Sequence, residues 1–375
     1  MPDPTQPIDP LLVTAVTGLP EVAPGDDLAA LLWTALAGDL AAGDVLVVSS
    51  KVVSKARGLV ERVGDGDDRD AVVVRESRRA VAARRTPRGT SRIVQAAAGP
   101  VMAAAGVDAS NTAPGTVLTL PADPDAEAGA LLAGLRLLGA PVVAVVVSDT
   151  AGRAWRRGQV DLALGSAGLR VVDDLRGQPD AGGQVLEVTE RAVADEVASA
   201  ADLVKGKASG VPAARVRGLG HLVLDPAEPS DDTDTTATAL LRDPATDWFR
   251  LGHVEAVRAS LGLPPDAVEP PSVLPESLRH KVDRAVDVAL FGSAAARPDV
   301  LDDGAAGQVV RVTVVAGDPF AAGRLCARLQ AALWAEDLDA ALAHDEAAQT
   351  ATLLVTPAET PHAEMRVAVH AAQPT

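Results

Sequence analysis

Residues 140–148, APVVAVVVS, form an apolar run that stops abruptly at Ser148-Asp149-Thr150. The run is strand length, and no polar residue alternates through it. It therefore reads as a fully buried strand, of the kind found where a sheet is covered on both faces. A polar Ser-Asp-Thr at the end of such a strand stands where α/β sheets often place functional groups. Three arginines come next, Arg153, Arg156 and Arg157. Taken alone, Asp149 reads either as the partner of one of these arginines in a surface ion pair or as a metal ligand beside an anion.

Hydrophobic residues make up 47% of the 375, yet there are only three Phe, four Trp and no Tyr. The core must be built from Ala, Val and Leu, and secondary structure must be read from aliphatic periodicity. Residues 11–17 read as a short buried strand. Pro24-Gly25-Asp26-Asp27 turns into a helix over 28–37, with an aspartate as its cap. Residues 44–50 read as a strand, 76–85 as a helix basic on one side, 125–138 as an amphipathic helix, 190–204 as another helix, and 213–224 as strand-like. Residues 225–246, acidic and broken by prolines, read as a linker. Beyond them the pattern gives a helix over 277–291, a strand over 308–315, a helix over 319–335 and a strand over 351–356. The fold class expected is α/β, or a mixed α+β arrangement. The expected divisions are a domain over 1–224, the acidic linker, and a smaller α/β domain over 247–375.

The formal charge is −17, which disfavours nonspecific contact with nucleic acid or an anionic membrane. A single cysteine, Cys326, excludes an intrachain disulfide and a cysteine-based zinc site. No apolar run reaches the ~18 residues of a membrane-spanning helix. The proline-rich start lacks the pattern of a secretory leader, so a cytoplasmic location is expected.

Four stretches carry candidate chemistry, each with a bland reading beside it. Ser49-Ser50-Lys51 and Lys55 are either a solvated basic face or a phosphate site, lysine supplying a point charge and serine a donor. Asp108-Ala109-Ser110-Asn111 is either a polar turn or a hard-oxygen cation ligand with an amide that reads a nucleotide. Asp108 and Asp149 together suggest the two carboxylates that commonly hold a cation against substrate phosphates. Lys205 to Gly210, KGKASG, is either a helix C-cap or a Gly-rich loop around a nucleotide. No GxxxxGK phosphate loop occurs. Gly218-Leu219-Gly220 lacks the third glycine and the helix of a dinucleotide site.

In order, TGLPEV, GDVLVVSSKVVSKARG, AAGVDASN, SDTAGRAWRRGQVDLALG and VADEVASAADLVKGKASGVPAARVRGL closely resemble the coenzyme F-420-0:L-glutamate ligases (F-420:γ-glutamyl ligases) over about residues 11–222. The resemblance implies a homodimer with a non-P-loop, GTP-dependent ligase fold. It implies addition of L-glutamate to the lactyl carboxylate of F-420-0, then of γ-linked glutamates, through an acyl phosphate. GTP would be a substrate, with two Mg²⁺ or Mn²⁺ ions and room for K⁺. Carried over by position, Leu19, Pro20, Glu21 and Val22 would line the nucleotide, and Ser50, Lys55 and Asn111 would contact it. Asp108 and Asp149 would hold one metal and Thr150 would reach a second. The loop Lys205, Gly206, Lys207, Ala208, Ser209 and Gly210 would close over the nucleotide. Lys55 would offset phosphate charge during catalysis, and Arg153, Arg156 or Arg157 would hold the substrate carboxylate or the transferring phosphoryl group. The chain departs from many members at Ala104, where they carry a polar residue. It departs from others at Lys207, where they carry an acidic one.

DWFRLGHVEAVR resembles the junction at which some relatives continue into a flavin-binding, nitroreductase-like domain. The stretch beyond this junction is short for that domain, and no Arg-rich segment for an FMN phosphate stands there. The expectation is a reduced or degenerate version. The alternatives are a bifunctional ligase and FMN-dependent dehydro-F-420-0 reductase, or a nucleotide-binding scaffold without catalysis.

Overall fold

The computed structural model describes residues 10–64, 68–110, 112–206, 209–227, 234–293, 297–303, 308–315, 318–345 and 350–358. The chain divides into two compact units, one of residues 1–79 and 93–248, the other of 80–92 and 249–375.

In chain order the elements up to residue 217 are β1 (Leu12–Val16), α1 (Leu28–Leu36), β2 (Val45–Ser49), α2 (Ser50–Ala56), β3 (Val60–Arg62), α3 (Asp68–Arg75), β4 (Ser77–Thr86), β5 (Gly89–Ala96), β6 (Val101–Ala103), β7 (Thr116–Leu118), α4 (Pro124–Leu137), β8 (Ala144–Arg153), β9 (Arg156–Ala167), β10 (Val172–Asp174), β11 (Glu190–Ala192), α5 (Val193–Lys205) and β12 (Ala213–Arg217). The first unit is organised by a five-stranded sheet in the order β1-β12-β2-β8-β9. Its two central strands, β2 and β8, run parallel, with Val45 opposite Ala144 and Ser49 opposite Ser148. The other pairings are antiparallel.

The valine run is what this sheet requires. Leu46, Val48, Val145 and Val147 pack into one core with residues of α1 and α4. The alternate residues, Val45, Val47, Ala144 and Val146, pack into a second core with α5. Side chains alternate faces along a strand, so a strand covered on both sides has no position left for a polar residue. Each fully buried Val or Leu contributes about 1.5–3 kcal/mol to that packing. The covering helices start where expected. Asp27 accepts the Ala30 N–H at 3.0 Å and Asp123 accepts the Ala126 N–H at 2.9 Å, with Pro124 pre-set for the first turn of α4. Gly165 allows α4 to approach the sheet: a Cβ there would lie 2.0 Å from the Pro124 carbonyl oxygen.

Two local expectations are corrected. Residues 76–85 form no helix; residues 77–86 form strand β4, joined to β5 across Pro87-Arg88. Good helix formers lose here because a turn with Gly89 at φ 110° places a pairing strand next to them. The acidic stretch expected as a linker folds back onto the first unit in its described part. The Val171 N–H donates to the Asp234 carbonyl at 3.0 Å, Ala237 is buried, and the Ala237 N–H and Thr238 hydroxyl both donate to Asp125, at 2.8 and 2.6 Å.

The second unit contains α6 (His253–Ser260), α7 (Leu278–Leu290), β13 (Asp299–Asp303), β14 (Val309–Val315), α8 (Pro319–Trp334), β15 (Leu338–Asp345) and β16 (Thr350–Pro357). Its sheet, β13-β14-β16-β15, is wholly antiparallel, and its core joins α7 and α8 to the alternate residues Val310, Val312, Val314, Leu353 and Val355. The hairpin 80–92 belongs to this unit: Arg84 pairs with Glu255 at 2.9 Å, and Arg85 pairs with Glu276. The fold is thus a mixed α/β one, with a second, smaller α/β unit. Among the described residues no helix is long and apolar enough to cross a membrane.

Candidate active site

Because β2 and β8 are parallel neighbours in register, their carboxyl ends lie side by side. β2 runs straight into α2, so Ser50 opens a helix next to Asp149. The β8–β9 pairing shifts register between Val147 and Ser148, which leaves Ser148 opposite Ala163 and Thr150 opposite Asp161. Bulges of this kind re-aim side chains beside functional sites. A cavity of about 470 Å³ opens at this end of the sheet, a size suited to a small-molecule ligand.

The structure brings much of the sequence-derived set to that cavity. Leu19, Pro20, Glu21 and Val22 line it from the segment after β1, Lys55 from α2, Asp149 and Thr150 from β8, and Lys205, Gly206 and Gly210 from the end of α5 onward. Ser50 is buried at the start of α2, beside Asp149. Lys55 pairs with Glu21. Asp108 is one step removed: it pairs with Lys51 at 2.5 Å, and Lys51 lines the cavity. Ser209 turns inward on its own chain, its hydroxyl donating to the Lys205 carbonyl. Asn111, Lys207 and Ala208 lie outside the described residues. Arg153, Arg156 and Arg157 do not line the cavity. They are exposed at the end of the β8–β9 hairpin, where Arg153 reaches the Arg157 carbonyl at 3.5 Å.

Asp161 and Asp202 line the cavity as well and stand outside the sequence-derived set. The signal for Asp161 was present: it is a lone carboxylate in the otherwise apolar stretch Val160 to Leu164. Asp161 is buried and fully engaged. It accepts Lys205 Nζ at 2.6 Å and Ser148 Oγ at 2.9 Å on one oxygen, and Thr150 Oγ1 at 2.6 Å on the other. Lys205 Nζ also donates to Ser148 at 2.8 Å. Burial alone would raise the Asp161 carboxyl. The Lys205 ammonium and these hydrogen bonds outweigh it and hold the group below the usual carboxylate range.

Asp149 is the opposite case. Desolvation pushes its carboxyl up to about 6, opposed by hydrogen bonds from the Thr150 N–H and Ser50 and by the charge of Lys51, and reinforced by the charge of Asp161. Two carboxylates of opposite tendency therefore share one cavity wall, with hydroxyls between them. Among the described residues no three His, Cys, Asp or Glu side chains converge to form a metal cage. The oxygen-only set around Asp149 instead fits a hard cation that completes its shell with water or with ligand oxygens, as Mg²⁺ commonly does.

The loop leading to Asp108 is unusual in its backbone. Ala104, Ala105 and Gly106 have φ of 52°, 53° and 72°, a left-handed turn. Non-glycine residues adopt that conformation at a cost of about 1–2 kcal/mol each. Such strain persists only where surrounding structure holds it, and it clusters near functional sites. Here it delivers Asp108 to Lys51, where Ser110 closes the turn by donating its N–H and hydroxyl to Asp108 at 2.7 and 2.8 Å.

A second cavity, of about 560 Å³, lies in the second unit beside α7. Several of its polar side chains are paired, with one another or with residues just outside the lining. His280 meets Glu269 at 2.7 Å, Arg297 meets Asp287 at 2.5 Å, and Arg284 meets Glu276 at 2.9 Å.

Residues 18–218 match the family described as F420-0:Gamma-glutamyl ligase. A coenzyme F420:L-glutamate ligase of Methanopyrus kandleri is 39% identical over 248 residues, covering 61% of this chain and 94% of that protein. Proteins of the same name from Methanothermobacter thermautotrophicus and Halobacterium salinarum are each 39% identical, over 90% and 85% of their lengths. Every lining residue of the first cavity falls within the matched stretch. The chain belongs to the F420-0:gamma-glutamyl ligase family.

Proposed function

We propose that this chain is a GTP-dependent coenzyme F-420-0:L-glutamate ligase, which joins L-glutamate to the lactyl carboxylate of F-420-0 and then adds γ-linked glutamates. The observation that carries the reading is the convergence of Leu19–Val22, Lys55, Asp149, Thr150 and Lys205 on one cavity at the ends of two parallel strands, in a member of this family. The relatives' shared name supports the choice of substrates.

The reaction dictates the chemistry asked of the site. A carboxylate is a poor electrophile toward an amine. Attack of the F-420-0 carboxylate oxygen on the γ-phosphorus of GTP forms an acyl phosphate and releases GDP. The glutamate α-amine then attacks the acyl carbon, loses a proton and expels phosphate. The protein's part is to position the reactants and stabilise charge. Lys55 would exchange its partner Glu21 for a phosphate oxygen, and Lys51 would add a second positive charge nearby. Asp149, with the Thr150 hydroxyl and with Asp108 through its loop, would hold divalent cations, which when bound neutralise phosphate charge. Arg153, Arg156 and Arg157 lie outside the chain's own cavity lining. Their role in holding anionic substrate is assigned to a homodimer in which the hairpin of one protomer meets the partner's cavity.

The ligase activity is assigned to the first unit. The second unit, read as a reduced nitroreductase-like domain, is given a structural role. Purified protein with flavin absorbance would overturn that part. The main test is incubation of the purified chain with GTP, Mn²⁺, L-glutamate and F-420-0. The expected result is a stepwise mass gain of one glutamyl residue coupled to GDP release. GTP binding without mass gain would favour a scaffold and sink the reading.

A further inference from the structure

Thr150 is the first polar residue beyond Asp149, and what it offers the cavity depends on where its hydroxyl hydrogen points. That hydrogen is directed at Asp161 Oδ1, 2.6 Å away. Asp161 is held from three sides. Lys205 and Ser148 occupy its other oxygen, and its main-chain carbonyl accepts the Ser199 hydroxyl at 2.9 Å, which ties β9 to α5. The Asp161 and Lys205 side chains are only 6% and 5% exposed. An aspartate neutralised by a buried ammonium and saturated with donors is a poor cation ligand. It is a strong acceptor in a fixed place. With its hydrogen committed to Asp161, the Thr150 oxygen presents lone pairs and no donor in its remaining directions.

We propose that Asp161 is a positioning residue: paired with Lys205, it orients the Thr150 hydroxyl as an acceptor toward a divalent cation held beside Asp149. Lys205 then acts from beneath the site, fixing Asp161, before it acts on any nucleotide. The inference rests on the ligase reading of this cavity and adds a role for a carboxylate that does not itself contact the cation. Outer partners of this kind orient metal ligands and, when removed, commonly cost about 10–100-fold in metal affinity.

The test uses Mn²⁺ alone as the probe, titrated into the full chain and followed by loss of the free-ion electron paramagnetic resonance signal. Circular dichroism melts report folding. Asp161→Asn and Thr150→Val are each expected to weaken Mn²⁺ binding at least about tenfold, with Thr150→Ser close to the unmodified chain. In the Thr150→Val background, Asp161→Asn should add no further loss, because the route through the hydroxyl is already gone. Multiplying losses in the double variant would show an independent role and overturn the proposal. So would unchanged binding in folded Asp161→Asn. If Asp161→Asn does not fold, Thr150→Val decides: it leaves the Asp161–Lys205 pair intact, and unchanged Mn²⁺ affinity there is equally fatal. Asp149→Asn separates the two levels. Loss of binding in Asp149→Asn with no effect at Asp161 or Thr150 overturns this inference alone. No effect in any variant removes the cation from this cavity and overturns the functional reading with it.

Discussion

Lys205 Nζ lies 2.6 Å from Asp161 Oδ2, and both side chains are almost wholly buried. The pair fastens the end of α5 to β9 under the cavity, so its loss should be felt in stability. Lys205→Met leaves a buried carboxylate without its counter-charge and is expected to cost about 3–5 kcal/mol. Asp161→Asn combined with Lys205→Met should be less destabilised than Lys205→Met alone. Urea denaturation of the set measures both. The pH dependence has a definite sign. Asp161 is held below its unfolded value, so its contribution is present above pH ~4 and is lost as pH falls through the folded value.

Asp149 has the opposite sign. Its carboxyl stands at about 6 in the folded chain, against ~3.9 when unfolded. The stability this represents is complete below pH ~4 and is lost as pH rises through about 6. Asp149→Asn should therefore stabilise the cation-free protein at pH 8, by up to about 3 kcal/mol. Mn²⁺ should raise the melting temperature of the unmodified chain at that pH and leave Asp149→Asn unmoved. A variant less stable than the parent at pH 8 would contradict the assignment of burial as the cause.

Gly165→Ala tests the approach of α4 to the sheet. The added Cβ would fall 2.0 Å from the Pro124 carbonyl oxygen and 2.7 Å from the Asp125 nitrogen, which are backbone atoms that no rotamer change can clear. A loss above about 3 kcal/mol is expected, at the upper end for overpacking. A denaturation midpoint close to that of the parent would show that α4 sits farther out.

Lys55→Met should weaken GTP binding about tenfold or more while leaving the fold intact. The lysine emerges from a short helix beside an exposed Glu21, and its loss strands no buried charge. Glu21→Gln keeps the side chain in the lining and releases Lys55 with its charge, so it should weaken binding less than Lys55→Met. Fluorescent GTP analogue titrations distinguish the two outcomes.

The proposed homodimer with shared sites makes a mixing prediction. Asp149→Ala and Arg156→Ala chains, each inactive alone, should regain part of the glutamate-adding activity when refolded together, because a mixed dimer contains one intact site. No recovery at any mixing ratio would place the arginines in their own chain's reaction or outside the reaction altogether.

Much of this was legible in the residues themselves. Binary patterning and caps act over a few positions, so the buried β2 and β8, the Asp27 cap and the helices near 125–138, 190–204, 277–291 and 319–335 could be read directly. So could the chemical character of Ser50, Lys55, Asp108 and Asp149, since a hard-oxygen ligand or a point charge is a property of the side chain. Tertiary structure decided what those groups meet. The parallel register of β2 and β8 sets Ser50 against Asp149, and a bulge in β8–β9 sets Thr150 against Asp161. Pairing with β5 made a strand of residues 77–86 against their helical propensity, and Asp125 drew the acidic stretch at 237–238 back onto the first unit. Register, bulge and pairing depend on contacts between residues far apart along the chain. Local propensity carries no information about them, because their energy exists only once the sheet has formed.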